Sequence, residues 1–589
     1  MKTFLRSSGW LLLCLLVPSL NAAPAKQLWT AKLPGDAKWH QLTSLGTLIV
    51  GTADAILAFD PESGQALWKR DEFKKTSPFS AREIPGAPLL LCHKADGFAG
   101  LTKTTFYAVD YLSGKTVWQT PEIQGQYLGT LAVPEKDLAL LVVNGNGTDG
   151  KDPGTWLFAH DLVEGKQKWS AKIAKSGAIR LHVADNSGKF IPTTDLSGYH
   201  DPVVEGDNIY LPYLGCQCLD LATGAIKWTA EMIEGGNELK KSHAPLRLRG
   251  DRIYGSAGGS VYALDKATGN VVWRSDRVSS YAGLLKARNN ALVSQVEFVG
   301  DTLFARYGGN FSNGQAVVMR EPFGVLGLNA ATGEGLYHFD KASDGITNLI
   351  VLPEAKTIVF ADGGNVYGID ASGAVPAEAF KLPIEFKKKM GAAGVAKIGL
   401  GALGGVTGLV KGAMSANKAL KDPPVAVNLV GNRVVVQGKQ HLLNFDPATK
   451  TSNWSLSYGA PSDTFGNLAM FAVTAAAALY GNGQVAASGG IASGGYSSGV
   501  NTIHSNLDRY NKYTEKAAAR AGQSKSASGY TYILTTVEKD IGVVGVNLAT
   551  GDTDREIALK EKEPDYRVDE QINRVFHFKG KDTIIAYQF

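Results

Sequence analysis

The sequence predicts an all-β protein built as a single β-propeller of four-stranded antiparallel blades, with a small helical insert region late in the chain. Three observations carry this. A hairpin motif of fixed internal spacing recurs along the chain, a shorter hairpin signal precedes several of its copies, and the two end segments read as halves of one further unit.

The 589 residues exceed one ordinary compact core and suit a repeat array, and a hydrophobic content of 44% lets most of them be buried. Residues 1–25 stand apart. Lys2 and Arg6 precede a short apolar stretch from Trp10 to Leu20, and Ala22, Ala23 and Ala25 offer cleavage points. This is the layout of a secretory signal peptide, because the apolar stretch is too short to span a bilayer. The alternative, an ordinary N-terminal helix, is interrupted by Pro18 and Pro24. Cys14 follows Leu12 and Leu13, where a lipidation signal wants a small residue, so no lipid anchor is expected. The mature chain, 26–589, is therefore expected to be exported, to the periplasm or cell envelope.

Removing Lys2 and Arg6 takes the formal charge from +5 to +3, and no basic stripe stands out beyond Lys387, Lys388 and Lys389. Nucleic acid is not an expected partner. Cys92, Cys216 and Cys218 are too few for a disulfide scaffold. Cys216 and Cys218 could form a strained local disulfide, or be two buried thiols on one face of a strand.

The main motif is a small-apolar strand, Asp, a turn, Gly, three residues and Trp. Five copies share one spacing: Asp60/Gly64/Trp68, Asp110/Gly114/Trp118, Asp161/Gly165/Trp169, Asp220/Gly224/Trp228 and Asp265/Gly269/Trp273. Asp starts the turn by accepting from the backbone two residues on, Gly supplies a positive φ, and Trp is large enough to fill the gap between neighbouring sheets. Degenerate copies follow at Asn329/Gly333/Tyr337, Asp446/Lys450/Trp454 and Asn547/Gly551/Arg555, with a shortened one at Asp370 and Gly373. A second signal, Gly-[Asp/Asn]-x-apolar-apolar, occurs at Gly206, Gly250, Gly300 and Gly431, as expected for the turn between two inner strands. Two hairpins in series, every 40–60 residues or so, describe propeller blades.

The A-x-D-x-x-[TS]-G-x-x-x-W motif resembles the tryptophan-docking motif of the quinoprotein-like (PQQ-type) propellers, and the resemblance spans nearly the whole mature chain outside two inserts. It implies about eight blades, whereas the turns and the composite end unit offer up to ten. It also implies closure by pairing of the termini, with Gln27–Ala31 as a last strand and Thr583–Tyr587 as the strand before it.

Two inserts break the pattern, 385–422 and 459–528. In the first, Gly404, Gly408 and Gly412 recur every four residues and would make one smooth helical face, a candidate interaction face; a flexible Gly-rich loop is the alternative. In the second, Thr464 to Leu507 lacks any charged residue, and 465–480 reads as an apolar helix. Both follow the outermost strand of one blade and precede the innermost strand of the next.

The resemblance raises a quinone-dependent dehydrogenase, which would hold its cofactor with a calcium ion, a catalytic aspartate and commonly an adjacent Cys-Cys disulfide. Here Cys216 and Cys218 have a residue between them, and no H-E-x-x-H, P-loop or C-x-x-C-H sequence occurs. The loop from Asn144 to Asp152 is oxygen-rich but lacks the closing Glu of an EF-hand, and reads as a solvated hairpin tip. No catalytic residue, cofactor or metal ligand is assigned. The expectation is a non-enzymatic scaffold that binds a protein partner, with peripheral membrane contact through the inserts, similar in kind to the propeller of the outer-membrane barrel-assembly machinery. The alternatives are a quinone-dependent oxidoreductase and a ligand-sensing propeller.

Overall fold

The computed structural model describes residues 23–589 outside 77–79, 85–86, 98–101, 134–135, 149, 176–181, 185–189, 193–201, 214, 232–243, 277–292, 313–316, 385–423, 425, 431, 439–440, 459–528 and 563. The described residues form ten blades, 1 to 10 in chain order, eight of them separate four-stranded sheets and two, blades 2 and 3, joined into one eight-stranded sheet where Ile123 pairs with Thr104; a two-stranded hairpin, His182–Ala184 with Phe190–Pro192, lies between blades 3 and 4 in the chain. The blades span 39–70, 81–119, 123–175, 203–230, 247–274, 293–339, 350–383, 426–457, 530–558 and 566–588. The count is ten rather than about eight because each degenerate turn still closes a hairpin. Among the described residues the only helical element is the 3-10 turn Asp71–Phe73. The expected helical inserts, Gly404, Gly408 and Gly412 included, lie outside the described residues.

Blade 1 shows the plan, with strands Trp39–Leu42, Leu48–Gly51, Ile56–Phe59 and Ala66–Arg70 paired antiparallel in sequence order. The two middle strands are wholly buried. They read as continuous apolar runs rather than alternating ones because a neighbouring blade covers each of their faces. Blades 9 and 10 depart from the plan by borrowing from the N-terminal segment. Lys26–Lys32 pairs antiparallel with Thr583–Gln588 and supplies the outer strand of blade 10. Ala23–Pro24 lies parallel to the strand Thr553–Ala558, along the outer edge of blade 9.

The core is divided among the gaps between blades. Ten apolar clusters each join two neighbours, from Ile49, Ile56, Leu90 and Val109 between blades 1 and 2 to Val50, Leu57, Phe576 and Ile584 between blades 10 and 1. One local feature recurs in the outer hairpin: a β-bulge shifts the register just before the turn. It sets each motif Trp opposite the residue two before the motif Asp, giving Ala58 with Trp68, Ala108 with Trp118, Ala159 with Trp169 and Ala263 with Trp273. A small residue there leaves the ring free to lean out toward the next blade.

Candidate interaction face

The motif residues come together between blades. Asp220 is representative of the turn: its Oδ1 accepts from Ala222 N at 3.1 Å and Thr223 N at 2.9 Å, while its backbone carbonyl accepts from Gly224 N at 2.8 Å. Lys227 Nζ reaches Asp220 Oδ2 at 3.0 Å, and that hydrogen bond, with those from Thr223, holds the carboxyl at about 2. Asp60, Asp110, Asp161 and Asp265 accept the same two backbone N–H groups. Asn329 and Asn547 do so as well, since the turn needs only a side-chain oxygen.

Each indole docks on the turn of the following blade. Trp29 donates from Nε1 to Pro61 O at 3.0 Å, Trp68 to Tyr111 O at 2.9 Å, and Trp118 to Leu162 O at 2.7 Å. Trp169 reaches Leu221 O at 3.0 Å, Trp228 Lys266 O at 3.3 Å, and Trp273 Ala330 O at 3.0 Å. The turn glycine lies flat against the ring. Gly114 has φ 73°, and a Cβ built on it would overlap Trp68, so conformation and contact both require glycine. Gly64, Gly165, Gly224 and Gly269 stand in the same relation to Trp29, Trp118, Trp169 and Trp228. Lys450 occupies this position in blade 8 with φ 59°. Blade 7 offers Phe380 in place of a Trp, and no indole presses there. Trp454 finds Gly551 but not its carbonyl: Asn444 Nδ2 takes Leu548 O at 2.8 Å, and Trp454 Nε1 is left without an acceptor.

These turns settle the polarity of the disc. In an antiparallel four-stranded unit, the turns after the first and third strands share one face; the turn after the second and the connection to the next blade share the other. Backbone bonds tie the first pair together, Leu221 N to Asp207 O at 2.9 Å and Ala330 N to Asp301 O at 2.9 Å. On this face the two sets of turns are thus tied to each other. The strand ends flanking 231–246, 275–292 and 384–425 lie on the opposite face, as does the end before 458; the second insert departs from the expectation of one shared face, because its far end at 529 returns on the turn face, Leu548 N donating to Gly529 O at 2.6 Å as Leu221 N does to Asp207 O. That second face is the candidate interaction face.

Other sequence-predicted groups are placed apart from one another. Cys216 and Cys218 are buried free thiols, so the local disulfide is not formed. They share one face of the strand Cys216–Asp220, where an extended backbone holds alternate Cα atoms at the upper limit of disulfide reach. Burial pushes both thiols upward, away from the reactive thiolate. Asp152, in the oxygen-rich loop, is held by an ion pair to Lys172, and Trp156 Nε1 donates to its carbonyl at 3.0 Å. Among the described residues no three His, Cys, Asp or Glu side chains converge as metal ligands.

The seam of blades 10 and 1 holds a cluster that the sequence did not announce. His40 Nε2 meets Asp565 Oδ1 at 2.7 Å, and Arg567 Nε donates to His40 Nδ1 at 3.1 Å. The ring stacks on Phe578 with centroids 3.8 Å apart. Both ring nitrogens are occupied, so His40 is no free base. Burial lowers its pKa against the opposing pull of Asp565. The partners lie 525 residues apart, beyond any local pattern.

The model of the outer membrane protein assembly factor BamB family matches residues 16–230 and 159–322, together just over half of the chain. This chain belongs to that family. The BamB match covers all five complete Asp–Gly–Trp copies and stops before the degenerate ones at Asn329, Asp446 and Asn547. A polyvinylalcohol dehydrogenase of Sphingopyxis sp. (strain 113P3) is 25% identical over 318 residues, 44% of this chain. The chain spans about half the length of that relative, the match covering 47% of it. Among solved structures, BamB of Moraxella catarrhalis is 15% identical, with a TM-score of 0.33 over 70% of this chain and 96% of its own. A chain of a mitotic checkpoint complex is 10% identical, with a TM-score of 0.26 over 74% of this chain and 96% of its own.

Proposed function

We propose that this BamB-family propeller is an exported scaffold that binds another protein at the cell envelope, using the face from which the long connections leave. The family match across blades 1 to 5 carries the reading. It is supported by the motif residues themselves, whose polar groups are taken up by their own turns and by neighbouring blades, which leaves them a structural role. In this reading residues 1–25 are a removed signal peptide, and the inserts 385–422 and 459–528 form a helical cap. Gly404, Gly408 and Gly412 would lie within its contact surface. Affinity capture from envelope extract tests it, with mass spectrometry of the mature N-terminus as the check on export. Recovery of no envelope protein would sink it.

A second reading, a quinone-dependent alcohol oxidoreductase, is favoured by the polyvinylalcohol dehydrogenase likeness. Dye-linked oxidation of an alcohol by purified protein supplied with pyrroloquinoline quinone and calcium would support it over the scaffold.

A further inference from the structure

The neighbours of His40 hold its imidazole in one tautomer. Arg567 has only donors to offer, so the 3.1 Å contact from its Nε makes His40 Nδ1 an acceptor, and Nη2 of the same guanidinium donates to the His40 carbonyl at 3.3 Å. The ring proton therefore sits on Nε2 and is donated to Asp565 Oδ1 at 2.7 Å. Phe578 fixes the ring plane by stacking on it, the two planes 7° apart.

The charged surroundings come mainly from blade 10. Asp565 and Arg567 touch His40 directly, and His577, bonded to Glu561 at 2.8 Å, lies near enough to act on Asp565 and is itself acted on by Lys579. In the connection into blade 1, Asp36 and Lys38 pair with each other at 3.6 Å. The strand Trp39–Leu42 and its neighbour Leu48–Gly51 carry no other titratable side chain. Glu563, two positions before Asp565, lies outside the described residues.

A second proton can enter this ring only at Nδ1, where the Arg567 Nε–H already points. Its arrival breaks that hydrogen bond and sets an imidazolium against a guanidinium, two like charges with one carboxylate in direct contact. Arg567 is exposed, so the displaced guanidinium can turn into solvent. Burial lowers the His40 pKa, so the opened seam takes up the proton more readily than the closed one. The contribution of the pair is complete above about pH 6.5 and is lost as pH falls from there to the folded value.

We propose that His40 and Arg567 form an acid-sensitive latch on the seam of blades 10 and 1, closed through Nδ1 at neutral pH and released when one proton on that nitrogen expels the guanidinium.

Two readouts on the full chain test it. Long-range nitrogen-15 spectra of histidine-labelled protein at neutral pH should contain an Nε2–H tautomer that disappears in His40→Gln. Amide exchange read by mass spectrometry and corrected for intrinsic rates should show Trp39–Leu42 and Tyr566–Asp569 losing protection about threefold or more between about pH 7.5 and about pH 5. The seam of blades 4 and 5, whose buried cluster holds no histidine, should not respond. His40→Gln keeps an amide that can donate to Asp565 but takes up no proton, and should flatten the response. Arg567→Met removes the group that the proton expels, so its seam should not loosen on acidification; it keeps the test open if His40→Gln fails to fold. An Nδ1–H tautomer, a parent seam equally protected at both pH values, or a variant seam that loosens as the parent's does overturns the latch.

Discussion

Trp118 and Trp228 make the same hydrogen bond in unequal surroundings, Trp118 being 6% exposed and Trp228 half-buried. Trp118→Ala should therefore cost about 3–5 kcal/mol, and Trp228→Ala less, as read from denaturant melts of both variants against the parent. Asp161, Asp220 and Asp265, whose carboxyls are held low by their turn hydrogen bonds, should set the acid limb of stability. Asp220 is held at about 2, so its contribution is complete above the ordinary carboxylate range and is lost as pH falls from about 5 toward 2. Asp220→Asn keeps the turn acceptor and removes the charge, so thermal melts should show a variant less stable than the parent at pH 7, with a shallower loss over that window and the two converging near pH 2. The roles of Asp, Gly and Trp were legible in the sequence because each acts within one hairpin or on the next. The setting of His40 was not, because Asp565 and Arg567, which fix its tautomer, come from the far end of the chain.

Strand pairing at the element scale was partly legible. The two half-units at the chain ends could be read from Trp29 and from the alternation in 583–587, and the structure sets them side by side, with Thr30 opposite Ile585. The parallel contact of Ala23–Pro24 with blade 9 could not be foreseen, because two residues carry no pattern. Blade number reached the upper end of the range the sequence offered, ten, for a physical reason: Asn329 and Asn547 hold their turns as well as Asp does, so units that look degenerate still fold. Deleting Thr583–Phe589 removes the third strand of blade 10 and exposes the edges of Lys26–Lys32 and Arg574–Lys579. We expect the truncated protein to aggregate, as measured by light scattering and sedimentation. A monomeric truncation of unchanged stability would show that this pairing does not close the ring.

For the whole molecule, the two faces of the disc differ: on one the turns of each blade are tied to each other, and from the other the connections after blades 4, 5 and 7 leave. Deleting Gly391–Leu420, which lies between blades 7 and 8 in the chain, should leave the β-sheet circular dichroism of the parent intact. It should also abolish flotation with liposomes or co-fractionation with envelope partners, the readouts that check it. The docking relay adds a constraint of another kind, one of order in time. The strand that carries Trp29 precedes blade 1 in the chain, yet the strand beside it is the third of blade 10, and Lys32 meets Asp582 at 2.5 Å over a sequence separation of 550. Until blade 10 has been made, that strand has an unpaired edge and an indole with only half of its surroundings. A contact of such sequence separation forms slowly. The growing chain thus carries an adhesive strand ahead of blade 1 that stays uncovered until blade 10 arrives.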